Sequence, residues 1–219
     1  DYALQAAERG YLAVCVEQSC YGERQEREDP SDPIDPTFAA AIRVLQLGRT
    51  LLGDRVSDVV QVIDWLHASS AGDDVLPGKI DPTRVYLMGN SLGGTTAMFA
   101  AALDARISGV IAASCISSFA VTLGQKTPGP DYVIPGILRW LECADVIGLS
   151  APRPFLTVSG TSDHIFPFES VEPVAIEALE IYAALDAEDR LQALPADGGH
   201  RFYPTVAWPA FEVLLKEIT

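Results

Sequence analysis

Basic residues are scarce in this chain. Lys and Arg together number 15 against 30 Asp and Glu, a formal net charge of −15. Binding a nucleic acid requires Lys and Arg to neutralise phosphates, so a nucleic acid is not the expected partner, and neither is an anionic membrane surface. Cysteine occurs four times, as Cys15, Cys20, Cys115 and Cys143. They form no C-x-x-C pair and no Cys/His spacing of the zinc type, which argues against a metal centre and a disulfide framework. Free thiols are expected, with Cys15 and Cys115 as small core residues. No apolar run approaches the roughly 18 residues that span a bilayer. The sequence is 219 residues long, 48% hydrophobic and 21% charged, an ordinary globular mix that can bury one substantial core. This composition suits a soluble protein, with the cytoplasm slightly favoured; a homo-oligomer is left open.

Short apolar runs alternate with helical patterns. Tyr11–Glu17, Arg84–Gly89, Ile107–Ser114, Pro154–Ser159 and Leu191–Leu194 read as strands. Thr37–Leu52, Asp54–Ala68, Ser91–Leu103, Glu169–Ala187 and Pro204–Ile218 read as helices; in the second, Val56, Val59, Val60, Ile63 and Leu66 form one stripe. Strands that are apolar throughout are buried on both faces, and strands alternating with helices imply a parallel sheet. The expected fold class is therefore α/β, a mostly parallel sheet with helices on both faces, in a single domain spanning 1–219. Glu23–Pro36, with three prolines, reads as a surface loop. Residues 116–152 form a long connection, read as a modest insertion over the rim of the sheet, with a short helix expected over Tyr132–Leu141.

The chemistry centres on Gly89-Asn90-Ser91-Leu92-Gly93-Gly94. It contains G-x-S-x-G between a strand and an Ala-rich helix, the context in which a tight turn lifts a serine above the sheet. Chance gives about 0.08 such matches in a chain of this composition. The glycines answer the crowding of the turn, and the following helix aims its first N–H groups, Leu92 foremost, at developing negative charge. A serine needs a base. His67 lies too early, at a helix end, and His164 directly follows Asp163. His200, in a loop just after the last strand, shares the rim of the sheet with Ser91 and is the best base. Asp163 follows the strand Pro154–Ser159 on the same rim and would orient the imidazole. Asp197 is the second choice, Asp145 sits at the wrong edge, and Glu169 belongs to a helix start. Tyr21, Phe166 and Phe202 are candidate substrate-contacting aromatics, with Tyr203 and Trp140 nearby in sequence.

Four stretches carry a family resemblance: Glu8–Arg24 (ERGYLAVCVEQSCYGER), Ile80–Gly94 (IDPTRVYLMGNSLGG), Ala151–Pro167 (APRPFLTVSGTSDHIFP) and Gly198–Phe202 (GGHRF). With the order Ser91, Asp163, His200, the chain resembles the α/β-hydrolases, in particular the dienelactone-hydrolase and acetyl-xylan-esterase-like branch. The resemblance implies a serine hydrolase of ester bonds without metal or organic cofactor, acting on a small-molecule ester. It implies Ser91 as nucleophile, Asp163 as acid and His200 as base. Dienelactone hydrolases proper usually use Cys, so Ser91 favours carboxylester chemistry, and the modest 116–152 connection favours short acyl groups such as acetyl.

One departure stands out. In the family a strand ending in a His-Gly motif precedes the first helix, and its loop supplies one oxyanion N–H. By this resemblance the sequence starts, at Asp1, inside that helix, and the loop Gln18–Gly22 is the candidate substitute. Two other readings share the triad order or the fold. One is an oligopeptidase-type serine peptidase, which usually carries an additional propeller domain. The other is a catalytically weak scaffold used for binding.

Overall fold

A computed structural model describes residues 2–25, 35–70, 80–122 and 129–216. Helices α1 (Tyr2–Glu8), α2 (Pro36–Gln46) and α3 (Leu51–Ser70) precede the sheet. Then come β1 (Val85–Asn90), α4 (Leu92–Leu103), β2 (Ile107–Ala113), the single turn α5 (Phe119–Val121) and α6 (Cys143–Gly148). The chain continues through β3 (Phe155–Gly160), α7 (Phe168–Ala183), β4 (Leu191–Ala196) and α8 (Pro204–Lys216). The four strands are parallel, in the order β1-β2-β3-β4.

The sheet is buried on both faces. Met98, Ile107, Val110, Ile147 and Phe155 belong to a cluster involving α3, α4, α6 and α7. Ile111, Leu156, Val158, Trp208 and Phe211 form a second cluster with α8. All six residues of β3 are buried, as a strand covered on both faces requires. Half-buried among the helix ends, the Arg153 guanidinium donates to the carbonyls of Ala101, Asp104 and Ile107 at 2.6–3.0 Å, and to Leu149 and Ser150. Its charge thus meets the negative C-terminal ends of α4 and α6.

Several expectations are corrected. Tyr11–Glu17 is not a strand. A cavity of about 1010 Å³ separates it from β1, walled by Val59, Val62 and Ile63 of α3 and by Trp208 and Phe211 of α8. A ladder needs a neighbour about 4.8 Å away, and across this gap there is none. Leu12, Val14 and Cys15 are exposed instead, so Cys15 is not a core residue. All four cysteines are free. The first long helix ends earlier than expected, because Gly48, at φ +72°, closes α2 and Leu51 begins α3. Among its described residues the connection over 116–152 holds two 3-10 turns, Pro130–Tyr132 and Ile137–Arg139, split at Pro135 and Gly136, rather than one helix over Tyr132–Leu141. It also holds α6, which periodicity missed. The loop read over Glu23–Pro36 falls largely outside the described residues, as do Pro128 and the expected helix end at Ile218. No helix among the described residues is long and apolar enough to cross a membrane.

Candidate active site

In a parallel sheet all strands end at one rim, and here that rim gathers Ser91 after β1, Ser114 after β2, Asp163 beyond β3 and His200 beyond β4. Ser91 adopts φ 56° and ψ −126°, a conformation that costs an L-residue and persists where its surroundings hold it. Its N–H donates to the Ala113 carbonyl at 2.8 Å, clamping the turn to the neighbouring strand. A Cβ on Gly89 would stand 2.2 Å from the Gly93 carbonyl carbon, and one on Gly94 would stand 2.7 Å from Cys115 Sγ. Gly93 is different, since its nearest obstacle is the Gln18 amide at 3.7 Å. The crossing of strand and helix therefore demands glycine at 89 and 94, while the second motif glycine has room. As the first residue of α4, Leu92 has no acceptor within the helix for its N–H.

Asp163 and His200 meet. Asp163 is buried, and its Oδ1 accepts from the backbone N–H groups of Ile165 and Phe166 at 2.9 and 3.1 Å. Its Oδ2 lies 2.8 Å from His200 Nδ1. A carboxylate only accepts, so Nδ1 carries the proton and Nε2 is left as the basic nitrogen. The two loops interlock through Thr161 N–H on the Ala196 carbonyl and Ser162 N–H on the Gly198 carbonyl, both at 2.9 Å. Gly160 permits this contact, because a Cβ there would come within 2.5 Å of the Gly198 and Gly199 carbonyl oxygens. The loop is also tied toward the serine. Ser114, which follows Ala113, donates its hydroxyl to the Arg201 carbonyl at 2.9 Å.

The other candidates separate. Phe166 stacks on the His200 ring with centroids 5.8 Å apart. Phe202 lies against Tyr2 at 4.7 Å, within the cluster around α8. Tyr203 is buried and donates to the Gly199 carbonyl. Trp140 is 83% exposed. Asp145 caps α6, accepting from the Glu142 N–H at 2.7 Å, and Glu169 lies in the first turn of α7. The Asp197 side chain has no bond to His200, and only its carbonyl accepts, from Arg201 at 3.3 Å. His67 lies in the last turn of α3, and His164 is exposed.

Of the loop Gln18–Gly22, Gln18 accepts from Thr96 on α4 at 3.3 Å, and the Ser19 carbonyl accepts from Arg55 Nε and Nη2 at 3.3 and 3.1 Å. Tyr21 faces the same guanidinium at 5.3 Å. Arg55 is fully buried, and its Nη1 pairs with Asp131 Oδ2 at 2.7 Å.

Sequence reasoning missed Arg55, Asp131, Gly160 and Tyr132. The Tyr132 hydroxyl neighbours the Ser91 side chain, and burial pushes the phenol pKa well above its ordinary value. Its ring lies 6.3 Å from Phe166. With Thr95, Phe99, Cys115, Ile137 and Phe166 it lines a cavity of about 20 Å³. Among the described residues no cluster of three His, Cys, Asp or Glu side chains is placed to hold a metal ion.

A model of the Abhydrolase family matches residues 1–174. YtaP of Bacillus subtilis (strain 168), whose name marks it as a candidate hydrolase, is 24% identical over 196 residues, 87% of this chain. The chain spans 60% of that relative's length. Among solved structures, a candidate acetyl xylan esterase from Bacteroides fragilis aligns with a TM-score of 0.68 at 20% identity, covering 88% of this chain and 49% of that one. A glucuronoyl esterase from Solibacter usitatus aligns with a TM-score of 0.62 at 17% identity, covering 83% and 55% respectively. At such identities the likeness is one of fold.

Proposed function

The chain belongs to the Abhydrolase family, and from that premise we propose that it hydrolyses carboxylic esters of short acyl groups, acetyl among them, with Ser91, His200 and Asp163 as its catalytic triad. The observation that carries the reading is the 2.8 Å contact between His200 Nδ1 and Asp163 Oδ2. It lies at the rim where the Ser91 turn ends β1. Asp163, itself held by two backbone N–H groups, fixes the imidazole so that Nε2 is free to take the Ser91 proton.

Ser91 Oγ attacks the ester carbonyl carbon as His200 takes its proton. The carbonyl oxygen becomes an oxyanion, and the Leu92 N–H is aimed at it. His200 passes the proton to the leaving alkoxide. A water molecule, deprotonated by the same nitrogen, then releases the acid from the acyl-serine. The connection over 116–152 is modest in length, which supports short acyl groups rather than long lipids. The two solved neighbours named as esterases lend the chemistry further support.

The test uses nitrophenyl acetate and a fluorophosphonate probe. Ser91→Ala abolishes turnover, and mass spectrometry places the probe on Ser91 in the unmodified protein. Full activity in Ser91→Ala would sink the reading.

A further inference from the structure

The mechanism above places one donor, the Leu92 N–H, at the oxyanion. We propose that the hydroxyl of Tyr132, a neighbour of Ser91, is the second and donates to the carbonyl oxygen as that oxygen becomes charged. This rests on the reading of Ser91 as nucleophile and goes one residue further.

Three observations carry it. The first is position. The Tyr132 ring lies 6.3 Å from Phe166, which in turn stacks on His200, and its hydroxyl neighbours the Ser91 side chain. The phenol therefore stands within the group of side chains that surrounds the serine. The second is the way Tyr132 is held. The preceding residue, Asp131, is buried and ion-paired at 2.7 Å with Arg55, whose side chain is wholly inaccessible. That guanidinium also grips the Ser19 carbonyl through Nε and Nη2. Burying an ion pair is costly, and removing one partner costs more, so the pair locks the turn Pro130–Tyr132 against α3. A donor that stabilises a transition state must be fixed before the reaction starts, and this turn is fixed. The third is protonation. Burial disfavours the phenolate, so the hydroxyl keeps its proton and acts as a donor, leaving His200 as the base.

No bond to Tyr132 forms or breaks. As the carbonyl π-electrons move to oxygen, the Tyr132 O–H swings to that oxygen. It returns when the carbonyl re-forms on departure of the alkoxide.

The experiment compares Tyr132→Phe with the unmodified protein on nitrophenyl acetate and on its thiono analogue, in which sulfur replaces the carbonyl oxygen. Sulfur accepts hydrogen bonds weakly, so an oxyanion donor is felt mainly on the oxygen ester. The expected result is a roughly 100-fold fall in kcat on the oxygen ester with little change in KM, and a smaller fall on the thiono ester. The preference for oxygen over sulfur then shrinks in the variant. If kcat or the full oxygen preference survives Tyr132→Phe, the proposal is overturned. Should that variant not fold, as judged by circular dichroism, Tyr132→Met carries the same two readouts. Ser91→Ala runs in parallel. An inactive Ser91→Ala beside an unaffected Tyr132→Phe removes Tyr132 alone, whereas an active Ser91→Ala removes the serine reading and this inference together.

Discussion

A Cβ at Gly89 would lie 2.2 Å from backbone, while one at Gly93 would meet nothing closer than 3.7 Å. The two outer glycines of one motif therefore respond oppositely to substitution. Gly89→Ala should cost about 3 kcal/mol or more, because strand and helix must separate. Gly93→Ala, inside the first turn of α4, should be neutral or stabilise by up to about 1 kcal/mol through helix propensity. Urea denaturation of both variants checks this; equal losses would mean that the crossing is looser than its geometry. At this scale the serine turn was legible, since three glycines around one serine have few other uses. Asp163 and His200 were legible as positions on a rim. Gly160 was not, because its obstacles, the carbonyls of Gly198 and Gly199, lie almost forty residues away and only the folded loops bring them near. Arg55 and Asp131 were equally silent: each reads as an ordinary surface charge until their 2.7 Å pairing is seen.

The connection after β2 shows how an element can be organised by one side chain. Glu142 accepts from the N–H groups of Phe119, Ala120 and Cys143 at 2.8–3.0 Å and from the Ser118 hydroxyl at 3.1 Å, joining the starts of α5 and α6. Burial pushes its pKa up, but these donors outweigh burial and hold the carboxyl below its ordinary value. The unfolded chain thus binds this proton at a higher pH than the folded one. The stabilisation is complete above the unfolded value and is lost as the pH falls through the lower, folded one. Glu142→Gln should cost about 1–3 kcal/mol at neutral pH, because an amide N–H would face donors. The difference from the unmodified protein should narrow toward low pH, as denaturation series at several pH values would show; a constant difference would remove the carboxylate as its cause. Helix α6 was missed in sequence because six residues span under two turns, too few for a period to show. The Tyr11–Glu17 run was misread for the opposite reason: its pattern is that of a strand, but pairing depends on a neighbour that pattern alone does not report.

On the scale of the whole molecule, the sheet formed by the described residues is uneven. β2 and β3 each have a partner on both sides, whereas β1 is paired with β2 alone and turns its other edge to the 1010 Å³ cavity. Amide exchange should therefore be slowest in Ile107–Ala113 and Phe155–Gly160 and markedly faster at alternate residues of Val85–Asn90, the positions whose N–H groups face the cavity. Exchange read by mass spectrometry or NMR tests this, and uniform protection across the three strands would contradict it. The α/β class and the parallel order followed from alternation and survive in the structure; the gap beside β1 did not, since empty space has no residue to announce it. The buried guanidinium of Arg55 has a consequence for anyone surveying variants of this chain. It grips two separate stretches of the rim from within a helix, so a random-mutagenesis screen scored on turnover would mark position 55 as though it lined the pocket. Hits on that face of α3 then report on the aim of the rim rather than on contact with the ester.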